Sequence, residues 1–494
     1  MPGPVPEQGL VVSVADDAEA RWRDLLSGRN AVYSLTFGGS VALHALNIYI
    51  VTTIMPSVIA DIGGLDFYAW GTTLFIVAST VSAALTARLF RQAGPRRAYA
   101  IAAGLFCAGT LLCAVAPSMA VLLLGRFVQG AGGGLLYALT YALVRVVFPE
   151  RLWGRAIGFE SMMWGVSTLI GPAVGGLFAE IGAWRAAFWS LLPFGVVFGV
   201  VAVAILPARG ADSRKPDARK LDARKLDVRK PGGLPWRQLA LLTAALMILS
   251  AAGVGGGGPR QILGVAAAIL LLAALALVED RAASRLLPRG ALRPATPLGA
   301  IYMTAALLMV GTQSEIFAPY FLQVLHGQSP LSAGYLAALM AMGWTLGAMV
   351  TAGWTGRAER RVIVAGPAIG LAGLGLLAAF LPIAGMGDWR PLLPACTGLL
   401  LVGLGVGAVW PHLVSRIYRA ASDEEQELAA GAITTVQLSA SALGAAGAGM
   451  IVNLAGIASG VPDGASGAAF WLCVLLAAAP LLGILTARRV VVTS

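Results

Sequence analysis

The sequence has little charge for its length. Of 494 residues only 12% are Asp, Glu, Lys or Arg, whereas 58% are hydrophobic. Soluble domains carry about 25% charged residues, and charge this scarce cannot cover the surface of a water-soluble globule of this size. The mean hydropathy of +0.79 agrees with this view. We therefore expect an all-α polytopic membrane protein.

Residues that commonly carry chemistry are also rare. The chain has four cysteines and three histidines, without metal-ligand or disulfide spacing, and it contains no Walker motif or nucleophile elbow. Its glycine-rich runs, such as GVGGGG, do not lie between a strand and a helix, so they do not predict a nucleotide-binding loop. We therefore expect no enzymatic activity, no metal and no cofactor.

Lysine is confined to one tract. All four lysines lie within residues 207–237, which hold ten basic residues and four aspartates, or +6 of the net charge of +11. The Asp-x-Arg-Lys repeat in this tract has a period of five, which fits neither helix nor strand, and its composition is typical of a solvated tether. The tract either attracts anionic lipid headgroups or only separates two halves of the protein. We expect no nucleic-acid partner.

Long apolar blocks predict membrane-spanning helices of about 20 residues each. Fourteen blocks occur, at residues 31–59, 67–90, 97–117, 119–148, 153–180, 184–206, 236–254, 260–278, 297–324, 333–355, 362–383, 391–416, 425–455 and 467–487. With this count, the segments assigned to one side hold nearly all the arginines outside the spans, and those on the other side hold only Arg185, Arg260 and Arg390. The positive-inside rule then places both termini in the cytoplasm. We expect the bacterial inner (plasma) membrane.

The blocks divide the chain into six, two and six helices. We expect a cytoplasmic N-terminal tail without a cleaved signal, two six-helix bundles, and a pair of additional helices between two cytoplasmic linkers. The expected boundaries are 1–30 for the tail, 31–206 for the first bundle, 207–235 for the basic linker, 236–278 for the additional pair, 279–296 for the second linker, 297–487 for the second bundle and 488–494 for the C-terminal tail.

Four stretches resemble motifs of one transporter family. They are GRFVQGAGGG (125–134), GPAVGG (171–176), GAWRAAFW (182–189) and APYFLQVLHGQSPLSAG (318–334). In this order, and with the six-two-six arrangement, the chain resembles the major facilitator superfamily, specifically its fourteen-helix drug:proton antiporter branch. The resemblance implies two six-helix bundles that rock around a central cavity, with two linker helices between them.

Two positions differ from the family pattern. The loop after the second helix usually contains an Asp where this sequence has Arg91, although Gly94, Arg96 and Arg97 of the motif are kept. The first helix usually has an Asp nine residues before its proline, where this sequence has Asn47. The proton-coupling and gating roles of these acids therefore do not transfer to this chain.

Ionisable side chains inside the spans are expensive in hydrocarbon and indicate functional positions. They are His44, Arg126, Glu160, Glu315 and His412. Because an enclosed carboxyl can bind and release a proton, we expect Glu160, Glu315 or both to carry protons. Arg126 would stabilise the ionised form of a carboxyl that comes close to it, or else be structural. Alternatively, Glu160 pairs with Arg151 or Arg155, and Glu315 is a polar residue of the cavity wall that never titrates.

Other residues are candidates through the resemblance. His44 changes charge near neutral pH, so it is a further proton-coupling candidate, or else it is only hydrogen-bonded. The candidate substrate contacts are Asn47, Gln129, Tyr137, Tyr141, Trp164, Tyr302, Gln313 and Trp410, and such amide and aromatic groups among apolar walls suit bulky amphipathic ligands. The GPAVGG stretch is the antiporter motif of the family, and it predicts a close-packed, bendable contact between the two halves. Its motif residues are Gly171, Pro172, Gly175 and Gly176.

The sequence thus predicts a proton-coupled secondary active transporter that exports amphipathic small molecules, such as drugs or metabolites, by alternating access. Its expected partners are the substrate, protons and membrane lipids, and we expect a monomer. One alternative is an exporter of lipids or lipid-like metabolites with the same fold. The other is a non-transporting membrane sensor or scaffold, which leaves the cost of the enclosed charges unexplained.

Overall fold

The computed structural model describes residues 21–207, 235–255, 258–422, 425–457 and 462–492, and within them all regular secondary structure is helical. Most of the expected basic linker therefore lies outside the described residues. The α-helices are α1 (Trp22–Leu25), α2 (Gly28–Ile62), α3 (Trp70–Ala114), α4 (Met119–Val147), α5 (Trp153–Glu180), α6 (Trp184–Ile205), α7 (Trp236–Ala252), α8 (Pro259–Arg281), α9 (Pro297–Gly311), α10 (Ala318–Val324), α11 (Pro330–Ala337), α12 (Leu339–Thr351), α13 (Gly356–Phe380), α14 (Trp389–Ala420), α15 (Gln426–Leu454), α16 (Pro462–Leu476) and α17 (Ala478–Val492). Short 3-10 turns cover Leu65–Phe67, Glu150–Leu152 and Thr312–Ile316.

Twelve helical segments of the described chain are long and apolar enough to cross a membrane. The chain is therefore a multi-pass membrane protein with an all-α fold, as predicted, but the predicted count of fourteen spans is not confirmed. One difference is the stretch Leu65–Ala114, which was predicted as two spans and forms one helical segment. The other is α7, whose 17 residues lie at the short limit of spanning helices, about 17–25 residues.

Gly94 divides α3 into two helices. Its φ of 76° and ψ of 167° are not helical, and glycine adopts a positive φ without the steric cost that other residues have. Pro95 follows, and its fixed φ suits the first turn of a helix. A straight helix of 45 residues would be about 68 Å long, which exceeds the roughly 45 Å thickness of a bilayer with its headgroups. The sequence predicts two spans here, at residues 67–90 and 97–117, and Gly94 lies in the segment between them.

The helices form a first group (α2–α6), an additional pair (α7 and α8) and a second group (α9–α17). We name the two ends of the molecule after α2, as the Gly28 end and the Ile62 end. At the Ile62 end, Asp61 accepts hydrogen bonds from the indole of Trp184 at 3.1 Å and from Arg185 at 2.6 Å. Tyr33, close to the Gly28 end, donates to the Ile205 carbonyl at 3.2 Å, so α2 and α6 are antiparallel neighbours.

The GAGGG run of the Arg-x-x-Gln-Gly motif packs α4 against α3. A Cβ atom on Gly130 would lie 2.3 Å from the Phe75 carbonyl oxygen, and one on Gly132 would lie 2.2 Å from the Phe106 nitrogen. Because real Cβ contacts are not this short, these positions require glycine. The run therefore has the close-packing role that small residues commonly have in membrane helices.

The first and second groups touch each other at the Ile62 end. The Tyr68 ring stacks on Phe317 with centroids 4.7 Å apart, and Tyr320 meets Tyr68 edge-on at 5.7 Å. Nearby, a Cβ on Gly176 of α5 would lie 2.5 Å from the Leu331 Cα of α11. Aromatic stacking and backbone-level packing thus close the molecule at this end.

Candidate functional site

Arg126 lies at the centre of a polar network inside the first group. The side chain is 1% exposed. Its Nε donates to the Gly71 carbonyl at 3.1 Å, and its Nη1 donates to Asn47 Oδ1 at 2.9 Å and to Gln129 Oε1 at 2.6 Å. Gln129 in turn donates from Nε2 to Thr110 Oγ1 at 2.8 Å. Side chains of α2, α3 and α4 therefore hold this arginine in a fixed position.

The partners of Arg126 are all neutral. No carboxylate oxygen of the described residues lies within 4.0 Å of the guanidinium, and its central carbon sits 4.3 Å from the centroid of the Phe75 ring. Such a cation–π contact offsets part of the cost of burying the charge. The Asn47 Nδ2 atom is enclosed without a hydrogen-bond partner among the described residues. Asn47 thus supplies the oxygen that an Asp would supply, but without the charge.

His44 lies in an aromatic cluster beside this network. Its ring is stacked on Tyr137 at 5.3 Å and lies 5.2 Å from Phe75 and 6.2 Å from Trp164. Tyr137 also contacts Tyr141 at 5.2 Å. Tyr137, Tyr141 and Trp164 are half-buried, so the cluster forms part of an internal apolar wall. Four predicted site residues, from α2, α4 and α5, are therefore neighbours in space.

Glu160 of α5 is enclosed without a cation. The residue is 2% exposed, and its Oε2 atom makes no hydrogen bond with the described residues. The pairing with Arg151 or Arg155 that the sequence left open does not occur in this structure. Glu160 precedes Trp164 by four residues on α5, so the two side chains lie on neighbouring positions of one helix face, and Trp164 belongs to the aromatic cluster.

Glu315 lies where the helix of the second group is interrupted. The 3-10 turn Thr312–Ile316 separates α9 from α10, and Pro319 restarts the helix in the first turn of α10. Glu315 is half-buried in this turn. Interrupted membrane helices commonly form binding sites in transporters, because the unwound turn leaves polar backbone groups free to bind a ligand.

The antiporter motif of α5 packs closely, but Gly171 and Gly175 face α2 of the same group and not, as the sequence had predicted, the second half. A Cβ on Gly171 would lie 2.5 Å from Tyr49 Cβ, and one on Gly175 would lie 3.0 Å from the Ile50 carbonyl oxygen. Gly176 faces α11 instead, and Pro172 Cβ lies 3.2 Å from the position that a Cβ on Gly334 would take. The motif therefore joins α5 both to α2 and to the second group.

The remaining predicted residues lie in other places. Tyr302 is buried, and its hydroxyl donates to the Ala429 carbonyl at 2.9 Å, so it joins α9 to α15. Gln313 donates to Met309 O at 2.9 Å within its own turn. Trp410 is half-buried and lies 5.5 Å from Trp344. Arg96 and Arg97 are exposed beside Gly94, at the Gly28 end.

Sequence reasoning missed a buried ion pair in the second group. Arg416 Nε donates to Glu359 Oε1 at 2.8 Å, and both side chains are less than 10% exposed. Arg419 also reaches Glu359, at 3.2 Å, and Arg416 Nη1 donates to the Val490 carbonyl at 2.8 Å. The GRAERR loop, which repeats the basic loop of the first half, was the available signal.

Sequence reasoning also missed His326, which lies in the loop between α10 and α11. It is fully buried at the Ile62 end, and its Nε2 lies 3.1 Å from the Leu381 carbonyl oxygen. Gly387 donates its backbone N–H to the His326 carbonyl at 2.9 Å. Burial lowers the pKa of His326, and the contact with the Leu381 carbonyl opposes this effect. The histidine thus connects the loop before α11 to the loop before α14.

Two helix groups that close against each other at one end, with charged and aromatic side chains enclosed between the spans, are the features of a membrane transport protein and not of an enzyme. Residues 37–445 match the family model described as Major Facilitator Superfamily. The chain belongs to the major facilitator superfamily.

The chain is similar to curated bacterial proteins over most of its length. It is 37% identical over 440 residues to a protein of Mycobacterium tuberculosis named a probable multidrug-efflux transporter, covering 88% of this chain and 90% of that protein. It is 26% identical over 385 residues to a multidrug transporter protein of Bacillus subtilis, covering 77% of this chain and 68% of that protein.

Solved structures show the same fold at low sequence identity. A crystal structure of a D-xylose-proton symporter matches with a TM-score of 0.62 and 12% identity, over 94% of this chain and 98% of that one. A peptide transporter crystallised with sulfate matches with a TM-score of 0.63 and 16% identity, over 93% and 94% of the two chains. These matches establish the fold alone.

Proposed function

We propose that this chain is a proton-coupled exporter of amphipathic small molecules that works by alternating access, within the fourteen-helix drug:proton antiporter branch. The observation that carries this proposal is Glu160, an enclosed carboxyl without a cation beside the aromatic cluster of His44, Tyr137 and Trp164. The similarity to relatives named as multidrug transporters supports export as the direction of transport.

Exchange follows from competition for the same oxygen atoms. A proton on Glu160 removes the negative charge of its carboxylate. A cationic group of the substrate binds to that charge, and a polar group of the substrate binds to the same carboxylate oxygens. Binding of one therefore favours release of the other. Aromatic walls bind the apolar body of such a substrate with little demand on its exact shape. Glu315, in the interrupted helix of the second group, is the second proton carrier in this proposal.

Arg126 acts on these carboxyls through its charge. Its neutral partners leave the charge unopposed within the polar network, so a carboxyl that approaches Arg126 when the groups move is held in its ionised form. In the conformation with the Ile62 end closed, Glu160 makes no such contact. Movement of the two groups thereby changes proton affinity, which is the requirement for coupling.

The proposed topology has fourteen crossings, in two bundles at 31–206 and 297–487. Two observations support it: Gly94 splits α3 into two helices that are each long enough to cross, and α7 packs beside α8 as one helical pair. The exposed arginines Arg96 and Arg97 lie at the Gly28 end, which favours that end as the cytoplasmic side of a plasma membrane. We propose that the protein acts as a monomer.

The proposal is tested with everted membrane vesicles from cells that express the chain. An imposed pH gradient should drive uptake of ethidium into these vesicles, a protonophore should abolish it, and vesicles without the protein should show none. Uptake that does not depend on the pH gradient would contradict proton coupling. Gradient-driven movement of a fluorescent phospholipid, without movement of ethidium, would instead support the lipid exporter.

A further inference from the structure

Two seams separate the first group from the second along the sides of the molecule. We call them the α3/α15 seam and the α5/α12 seam, after the helices that face each other across them. The additional pair lies over the α3/α15 seam. A buried apolar cluster there joins α3, α7 and α15 through Phe75, Ile76, Val77, Leu242, Leu246 and Ala442, with side chains of α8 packed against it.

The Ile62 end of the α3/α15 seam is held by Asn453 of α15. Its Nδ2 donates both to the Asp66 carbonyl at 2.8 Å and to the Gly253 carbonyl at 3.0 Å. One amide thus connects the first group, the second group and the additional pair. A Cβ on Gly253 would lie 2.8 Å from Met450 Cα, so α7 and α15 approach each other at backbone distance. Apolar packing and these bonds separate this seam from the lipid.

The α5/α12 seam is closed only in part. Residues 158, 165, 172 and 176 share one face of α5, because seven residues make almost two full turns and eleven make about three. At Pro172 and Gly176 this face packs on α11, and at Gly158 a Cβ would lie 3.7 Å from Trp22. A Cβ on Gly165 would have no atom within 4 Å. The seam is therefore open beside Gly165, between two covered ends.

The opening has apolar borders. Met162 and Leu169 of α5 are 56% and 62% exposed, and Met342 and Leu346 of α12 are 45% and 46% exposed. On the surface of α5, Trp164 lies between Gly165 and the side that carries Glu160. An amphipathic molecule dissolved in the bilayer can keep its apolar part against these borders while its polar group passes Trp164 toward the side of α5 that carries Glu160.

We propose that membrane-dissolved amphipathic substrates reach the cavity through the α5/α12 seam at Gly165, and that the additional pair closes the α3/α15 seam to them. This inference rests on the proposed export function and adds the route. In this proposal α7 and α8 block one of the two seams, so that substrates from the bilayer enter the cavity only through the other.

The test uses single cysteines in a chain whose four native cysteines are replaced by alanine, in everted vesicles with pyrenylmaleimide, a membrane-dissolved thiol reagent. Gly165→Cys lies in the proposed opening, and Gly104→Cys is the matched control, because a Cβ on Gly104 also has no atom within 4 Å. Ala442→Cys reports on the covered seam, where Ala442 is 0% exposed.

We expect the reagent to label the Gly165→Cys and Gly104→Cys variants but not Ala442→Cys. Labelling should abolish gradient-driven uptake of Hoechst 33342 in the Gly165→Cys variant alone. Unchanged uptake after labelling of that variant, or labelling of Ala442→Cys, would overturn the route. If the unmodified chain shows no gradient-driven uptake, the export proposal fails. The labelling comparison needs no transport and still decides which seam is open.

Discussion

Arg126 donates a 2.9 Å hydrogen bond from Nη1 to the amide oxygen of Asn47, inside the first group of helices. Both residues are buried, and the second acceptor of the same nitrogen, Gln129, is also neutral. The guanidinium is thus bonded at a position where the family commonly has an Asp, but it is not neutralised there. Its charge stays available to a carboxyl that moves.

Replacement of Asn47 by Leu should destabilise the protein. Arg126 would lose an acceptor in a buried site, which costs about 1–3 kcal/mol, or more for a charged donor. Asn47→Asp keeps the acceptor and is the matched control, with a much smaller expected loss. Thermal unfolding in detergent micelles measures both. Equal midpoints for Asn47→Leu and the unmodified chain would show that this hydrogen bond does not hold Arg126.

The buried pair of Glu359 and Arg416 should matter far more than a surface pair. Glu359→Gln removes the counter-charge that Glu359 supplies to the buried Arg416 guanidinium, and breaking a buried pair in this way costs about 3–5 kcal/mol. Asp280, which pairs with Arg293, is the control, because its side chain is 49% exposed and exposed pairs contribute about 0–1 kcal/mol. Comparable losses of stability in Glu359→Gln and Asp280→Asn would refute the assigned role.

Gly176→Leu should open the Ile62 end. A side chain at this position meets Leu331 Cα at 2.5 Å, so it disfavours the closed packing and shifts the population toward the state open at this end. Tyr68, which is 2% exposed in the closed state, provides the probe. A membrane-impermeant maleimide should modify Tyr68→Cys faster when Gly176→Leu is present.

The control for this experiment is Gly104→Leu, at a helix position with open space around it. It should leave the labelling rate of Tyr68→Cys unchanged. Equal rates in the Gly176→Leu and Gly104→Leu backgrounds would show that the contact with Leu331 does not keep this end closed.

His326 should make stability fall in mild acid. An unfolded histidine has a pKa of about 6.5, and burial lowers the pKa of His326 in the folded state. The unfolded state therefore binds the proton first, so the stabilisation is complete above pH ~6.5 and is lost as the pH falls below it. In His326→Gln the decline of the unfolding midpoint from pH ~7.5 to ~5.5 should be smaller. An identical decline would contradict the assignment.

Much of the fold could be predicted from residue pattern, because hydrocarbon requires long apolar helices with their polar groups satisfied internally. The two apolar blocks on either side of Gly94 and the close packing of Gly171 and Gly175 followed from local chemistry alone. The ambiguity of the span count also has a local cause: α7 is short for a spanning helix, and the helix of α3 continues past the kink at Gly94 although a short basic segment separates its two apolar blocks.

The site was less predictable, since its contacts join residues far apart in sequence. Arg126, Asn47 and Gln129 could be identified as candidates, but only the packed helices show that they bond to one another. Nothing in the sequence indicated a role for Asn453, because Asn is common near helix ends. Its role becomes clear only from its hydrogen bonds to the carbonyls of Asp66 and Gly253. The role of Glu359 likewise depends on Arg416, which lies 57 residues away.

Proton movement in proteoliposomes tests the central claim most directly. A pH-sensitive dye inside the vesicles should report proton flux when ethidium is added to the unmodified chain and to Glu180→Gln, which changes an exposed carboxyl. The flux should be lost in Glu160→Gln, in Glu315→Gln or in both, while ethidium still binds. If both variants couple ethidium to protons as the unmodified chain does, neither Glu160 nor Glu315 is the proton carrier.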